Sequence, residues 1–97
     1  MIIQIERSGG FTGIPLQAKI DTHRLDASAG QAIETLVSAA AFFELPARIA
    51  SPAKGADRFQ YHIHIQSETR SHEVEVGESA GSAALNELIR QVMALGR

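Results

Sequence analysis

Apolar and polar residues alternate most cleanly at Phe59, Tyr61, Ile63 and Ile65, which interleave with Gln60, His62, His64 and Gln66. Period two is the pattern of a strand with one covered face. Val74 and Val76 alternate with Glu73 and Glu75 soon after, predicting the return strand of a hairpin. Opposing Ile63 with Val74 aligns the two apolar faces and sets His64 against Glu73 and His62 against Glu75. The turn then falls at Glu68-Thr69, where the lack of Gly or Asn predicts a longer type-I-based turn.

The N-terminal segment has the same grammar. Residues 2–7 and 14–21 read as strands, with Ile3 and Ile5 on one apolar face and Ile14, Leu16, Ala18 and Ile20 on the other. Pairing Ile5 with Leu16 and Ile3 with Ala18 brings those faces together and leaves residues 8–13 as the connecting loop. Pro15 lacks an N–H, so its position belongs at an edge or at the loop mouth.

The period then changes to that of a helix. Ile33, Leu36, Val37, Ala40 and Ala41 recur at helical spacing, and Ser28 with Gln31 has the spacing of a capping box. Pro46 biases Leu45 away from helical dihedrals, so the helix stops near Phe43, with Phe42 and Phe43 anchoring its end. Residues 47–57, with Pro52, Lys54 and Gly55, read as an irregular surface loop. A last helix over roughly residues 80–95 carries Leu85, Leu88, Ile89 and Val92 as its stripe, and Gly96 stands at its C-cap. The order is strand, strand, helix, strand, strand, helix. Its economical assembly is an α+β fold: one four-stranded antiparallel sheet with both helices on its apolar face. The strand order is left open.

Ninety-seven residues make a single domain, spanning 1–97, large enough for one core without staples. Net charge is −2 with neither sign clustered, which argues against nucleic acid as a partner. With no cysteines, disulfides, thiol nucleophiles and cysteine metal sites are excluded. The opening Met-Ile-Ile-Gln-Ile-Glu has no basic leader and no long apolar run, so the expectation is a cytoplasmic protein without a membrane partner.

Two constellations invite a chemical reading. His62 and His64 share a strand face opposite Glu73 and Glu75, a set that zinc accepts. The same pattern also yields two exposed cross-strand His–Glu pairs, and that plainer reading is preferred. A non-catalytic interaction or zinc-binding module using the His62/His64 face is therefore the alternative function, not the leading one. His72 falls on the apolar face near the turn, partly covered, and is not expected as a third ligand. No nucleophile sits in an elbow or triad context, so the chain is not read as an enzyme and has no catalytic residue or cofactor. Glycines 9, 10 and 13 precede a strand and are not followed by Lys-Ser, which rules out a phosphate-binding loop.

The second constellation is Ser8-Gly9-Gly10-Phe11-Thr12-Gly13. An aromatic ring flanked by glycines is poorly shielded by its own loop, and glycine lets another surface approach the backbone. Either the loop docks on a partner, or the ring folds back over the sheet edge as a local plug.

Arg7-Ser8-Gly9-Gly10-Phe11-Thr12-Gly13-Ile14 is not generic. Together with Phe42-Phe43-Glu44-Leu45-Pro46, Asp57-Arg58-Phe59-Gln60-Tyr61 and the His72 strand, it resembles the emfourin family, bacterial proteinaceous inhibitors of protealysin, a thermolysin-like zinc metalloprotease. The likeness runs nearly the whole chain. Gly77-Glu78-Ser79-Ala80-Gly81-Ser82 lacks a proline that many relatives carry there. The resemblance implies a small mixed α and β cytoplasmic protein that inhibits a thermolysin-family metalloprotease stoichiometrically. The protease-contacting residues it implies are Ser8, Gly9, Gly10, Phe11, Thr12, Gly13 and Ile14, with no metal ligand of its own. The free protein is expected to be a monomer. Phe59 and Tyr61 read as core by their alternation.

Overall fold

The computed structural model describes residues 1–9, 15–50 and 59–96. Strands β1 (Ile2–Gly9) and β2 (Leu16–Asp21) come first, then a 3-10 turn at Thr22–Arg24 and helix α1 (Ala27–Ala39). A second 3-10 turn at Phe42–Glu44 leads to β3 (Arg48–Ile49), followed by β4 (Phe59–Gln66), β5 (Ser71–Gly77) and α2 (Ala83–Leu95). The strands form one sheet in the order β2-β1-β4-β5-β3.

That architecture corrects the expected four-stranded antiparallel sheet. The sheet has five strands and is mixed, because β3 runs parallel to β5, and the order is strand, strand, helix, strand, strand, strand, helix. The chain turns sharply after α1 at Ala41, a non-glycine residue with φ of 50°. It then passes along the outer edge of β5, where the Glu75 N–H donates to the Ala47 carbonyl at 2.8 Å. Two residues carry no readable period, so this part of the expected 47–57 loop is a strand. Residues 51–58, with Pro52, Lys54 and Gly55, lie outside the described residues.

The β4–β5 register is the expected one, with Ile63 opposite Val74, His64 opposite Glu73 and His62 opposite Glu75. Ser67 shapes the turn: its hydroxyl oxygen accepts from the N–H groups of Thr69 and Arg70. The β1–β2 register differs from expectation by two residues, with Ile5 opposite Ala18, Ile3 opposite Ile20 and Arg7 opposite Leu16. A two-residue slip preserves which side chains share a face, so alternation could not separate the two registers. β1 also continues past Arg7, pairing Ser8 with Gln60 and Gly9 with Phe59 on β4.

Both helices join the sheet's apolar face in one core. Ile3, Ile5, Ile63, Ile65, Val74 and Val76 from the sheet meet Ile33 and Val37 of α1 and Leu85, Leu88 and Val92 of α2. Phe42 is buried and Phe43 packs partly against the same cluster. His72 stands edge-on to Phe42, and its Nε2 lies 2.7 Å from the Leu45 carbonyl. A carbonyl only accepts, so that nitrogen carries the proton.

The helix starts correct two expectations. Asp26, not Ser28, caps α1: its carboxylate accepts the Ala29 N–H at 2.7 Å, while the Ser28 hydroxyl donates to Asp26 Oδ1. Hydrogen bonds from Ala29 and Ser28 hold the Asp26 carboxyl below its ordinary range. Gln31 turns forward to Thr35 at 3.4 Å and does not close a capping box. α2 begins at Ala83 behind its cap Ser82, whose hydroxyl accepts from the Leu85 N–H. Gly96 does form its C-cap. One helical glycine is dictated by a close approach: a Cβ at Gly30 would lie 2.7 Å from the Thr22 carbonyl oxygen.

Candidate functional site

The end of the sheet where β1 meets β4 positions the glycine-rich segment. Ser8 and Gly9 are exposed, and Gly9 has φ of 88°, a region that favours glycine. Gly9 is register partner to Phe59, and the far side of the connection is set by Leu16 opposite Arg7. Sheet pairing therefore fixes the chain at Gly9 and again at Leu16. Gly10, Phe11, Thr12, Gly13 and Ile14 lie outside the described residues, so the Phe11 ring and its two readings do as well.

Around that root the side chains are specific. Glu78 and Phe59 exchange two hydrogen bonds, the Phe59 N–H to Glu78 Oε1 and the Glu78 N–H to the Phe59 carbonyl, both at 3.0 Å. This clasp ties the β5–α2 connection to the first residue of β4. Phe59 is half-exposed and stands apart from the core cluster, whereas Tyr61 packs against it. The structural role expected for the pair holds for Tyr61, while Phe59 supports the Arg7 guanidinium, whose carbon sits 4.3 Å from the ring centroid.

Arg7 opens the matched motif but is not among the residues expected to contact a protease. Its signal was available: it continues the apolar-face series Ile3, Ile5, so a cation occupies a position where the pattern asks for an apolar side chain. Behind it, Tyr61, Glu78, Arg90 and Met93 line an open depression of about 330 Å3. Glu87 draws hydrogen bonds from both Arg90 and Gln91, which hold its carboxyl down at about 2 and raise the Arg90 guanidinium further.

The opposite face of the sheet is polar. His62 Nε2 lies 3.1 Å from Glu73 Oε2, a diagonal contact rather than one with its direct partner Glu75. Both side chains are more than half exposed, so the pair contributes about 0–1 kcal/mol. Among the described residues no three His, Asp or Glu side chains gather as a metal-binding set. Nor does any described serine or threonine hydroxyl bond to a histidine: Thr22 bonds to Glu34 and Met1, Ser28 to Asp26, and Ser67 to Arg70. No described helix is long and apolar enough to cross a membrane.

No curated protein and no solved structure matches the chain. One family model does, Emfourin, over residues 5–93. That span takes in β1 from Ile5, every later strand and helix α1, and α2 as far as Met93. The chain belongs to the Emfourin family.

Proposed function

We propose that this chain is a non-catalytic proteinaceous inhibitor of thermolysin-like, protealysin-type zinc metalloproteases. It binds the active-site cleft stoichiometrically through the glycine-rich loop 8–13, with Ile14 as a further contact. Family membership over nearly the whole chain carries this reading. The pairing at Gly9 and Leu16 supports the choice of loop, since a segment held at both ends loses less entropy on binding than a free peptide.

Thermolysin-like enzymes hold substrate as an extended strand, with an apolar pocket just past the scissile bond. Glycines 9, 10 and 13 lay bare main chain in such a cleft, and Phe11 or Ile14 fills the pocket. Cleavage is avoided because the loop's peptide bonds do not reach attack geometry at the zinc-bound water. In the same reading the free protein is a cytoplasmic monomer that uses no cofactor.

Titrating residual activity of a thermolysin-like peptidase with the purified protein tests it. The expected result is a linear fall to zero at equimolar inhibitor. Full activity in the presence of excess protein overturns the reading.

A further inference from the structure

A loop of six residues is too small for a tight protein inhibitor. Stable interfaces bury about 800 Å² on each partner and engage roughly 20–30 residues a side. More of the surface around the loop root must therefore take part, and the two sides of the sheet differ there. Ser8 and Gln60 on the polar side are small or flexible. The helix side offers Arg7, Phe59, Tyr61, Arg90 and Met93, residue types that interface cores favour.

Arg7 has no structural task that explains it. It is half-buried, yet among the described residues its guanidinium makes only the ring contact with Phe59, with no hydrogen bond or ion pair. Its N–H donors are thus free of protein acceptors among the described residues, on the rim of an open depression. The Phe59 ring lies beneath the guanidinium carbon, and the β1–β4 pairing fixes the strand that carries Arg7. A planar guanidinium resting on a ring is suited to bidentate recognition of a carboxylate.

Resting on the inhibitor reading above, we infer that Arg7, stacked on Phe59 at the loop root, is a second anchor that takes a carboxylate on the rim of the metalloprotease cleft. Tyr61 and Met93 in the adjoining depression receive the surface around that carboxylate.

The test compares wild type, Arg7→Ala, Arg7→Lys and Phe11→Ala as inhibitors of one thermolysin-like peptidase, with thermal unfolding confirming that each variant folds. Arg7→Ala is expected to raise the inhibition constant by about tenfold or more, the scale of a hydrogen bond to a charged group. Arg7→Lys keeps the charge but loses the fork, so it recovers only part of the loss and serves as the folded comparison if Arg7→Ala is unstable. The salt dependence of inhibition should also be shallower in Arg7→Ala than in wild type. Wild-type affinity in either Arg7 variant overturns the inference. If Phe11→Ala is weakened while Arg7→Ala is not, the inhibitor reading stands and the anchor does not. An inert wild type removes both.

Discussion

Replacing Gly30 by alanine sets two effects against each other inside α1. Helix propensity alone favours the change, since alanine is better than glycine in a helix interior by about 1 kcal/mol. The site forbids it. The new Cβ would stand 2.7 Å from the Thr22 carbonyl oxygen, a backbone atom that cannot swing aside as a side chain does. Relief requires α1 and the Thr22–Arg24 turn to separate by several tenths of an ångström, and overpacking of that kind costs about 1–3 kcal/mol.

The same movement strains two bonds on Thr22. Its hydroxyl donates to Glu34 at 2.7 Å, and its N–H donates to the Met1 carbonyl at 2.9 Å. Thr22 is buried, so weakening the Glu34 bond forfeits on the order of 1 kcal/mol more. The net expectation for Gly30→Ala is a destabilisation of about 1–3 kcal/mol. For a domain of this size that is a fall in Tm of at least about 4 °C. Urea unfolding followed by far-UV circular dichroism measures it, with the exposed helical substitution Ser38→Ala as the propensity control. A Gly30→Ala protein more stable than wild type would refute the close-approach account.

Phe11→Ala should weaken inhibition of a thermolysin-like peptidase by at least about tenfold without changing Tm, as expected for a hot-spot ring; unchanged inhibition moves the main contact elsewhere. The His62→Ala, His64→Ala double variant should inhibit like wild type and show no zinc-dependent difference from it in equilibrium dialysis, whereas micromolar zinc binding lost in the variant would revive the metal-module reading. The Glu87 carboxyl, held at about 2 against an ordinary 4.5, stabilises the fold above the ordinary value and loses that contribution as pH falls toward its folded value. Glu87→Gln should therefore differ most from wild type in Tm near neutral pH and converge with it on acidification, by a small amount because the pair faces solvent; a difference that widens in acid contradicts the assignment.

Legibility in the sequence followed the length of each periodic run. Phe59 to Gln66 against Glu73 to Val76 gave enough alternation to determine the hairpin register to the residue. The Leu85, Leu88, Ile89, Val92 stripe likewise located α2 and its end at Gly96. Where two solutions share a face, alternation is silent, and so the β1–β2 pairing was displaced by two residues. Arg48–Ile49 was unreadable because its strand character comes from the neighbouring β5 edge rather than from its own two residues. Asp26 and Ser28 are both good caps two positions apart, and only the geometry chose between them. For the candidate site, the glycine-rich segment was picked out by composition and family likeness and lies mostly outside the described residues, while Arg7 was not singled out. A single cation at the end of an apolar series looks like ordinary fraying until the Phe59 ring is seen beneath it.

The partnership between Gly9 and Phe59 also has a temporal side. The central seam of the sheet joins the start of the chain to a strand about fifty residues further along, and such distant closures slow folding. A ribosome-bound fragment ending before β4 would contain every residue of the glycine-rich segment, yet would lack the neighbour that sets its near end. In the proposed function, competence to bind therefore arrives late in synthesis, with the seam rather than with the loop.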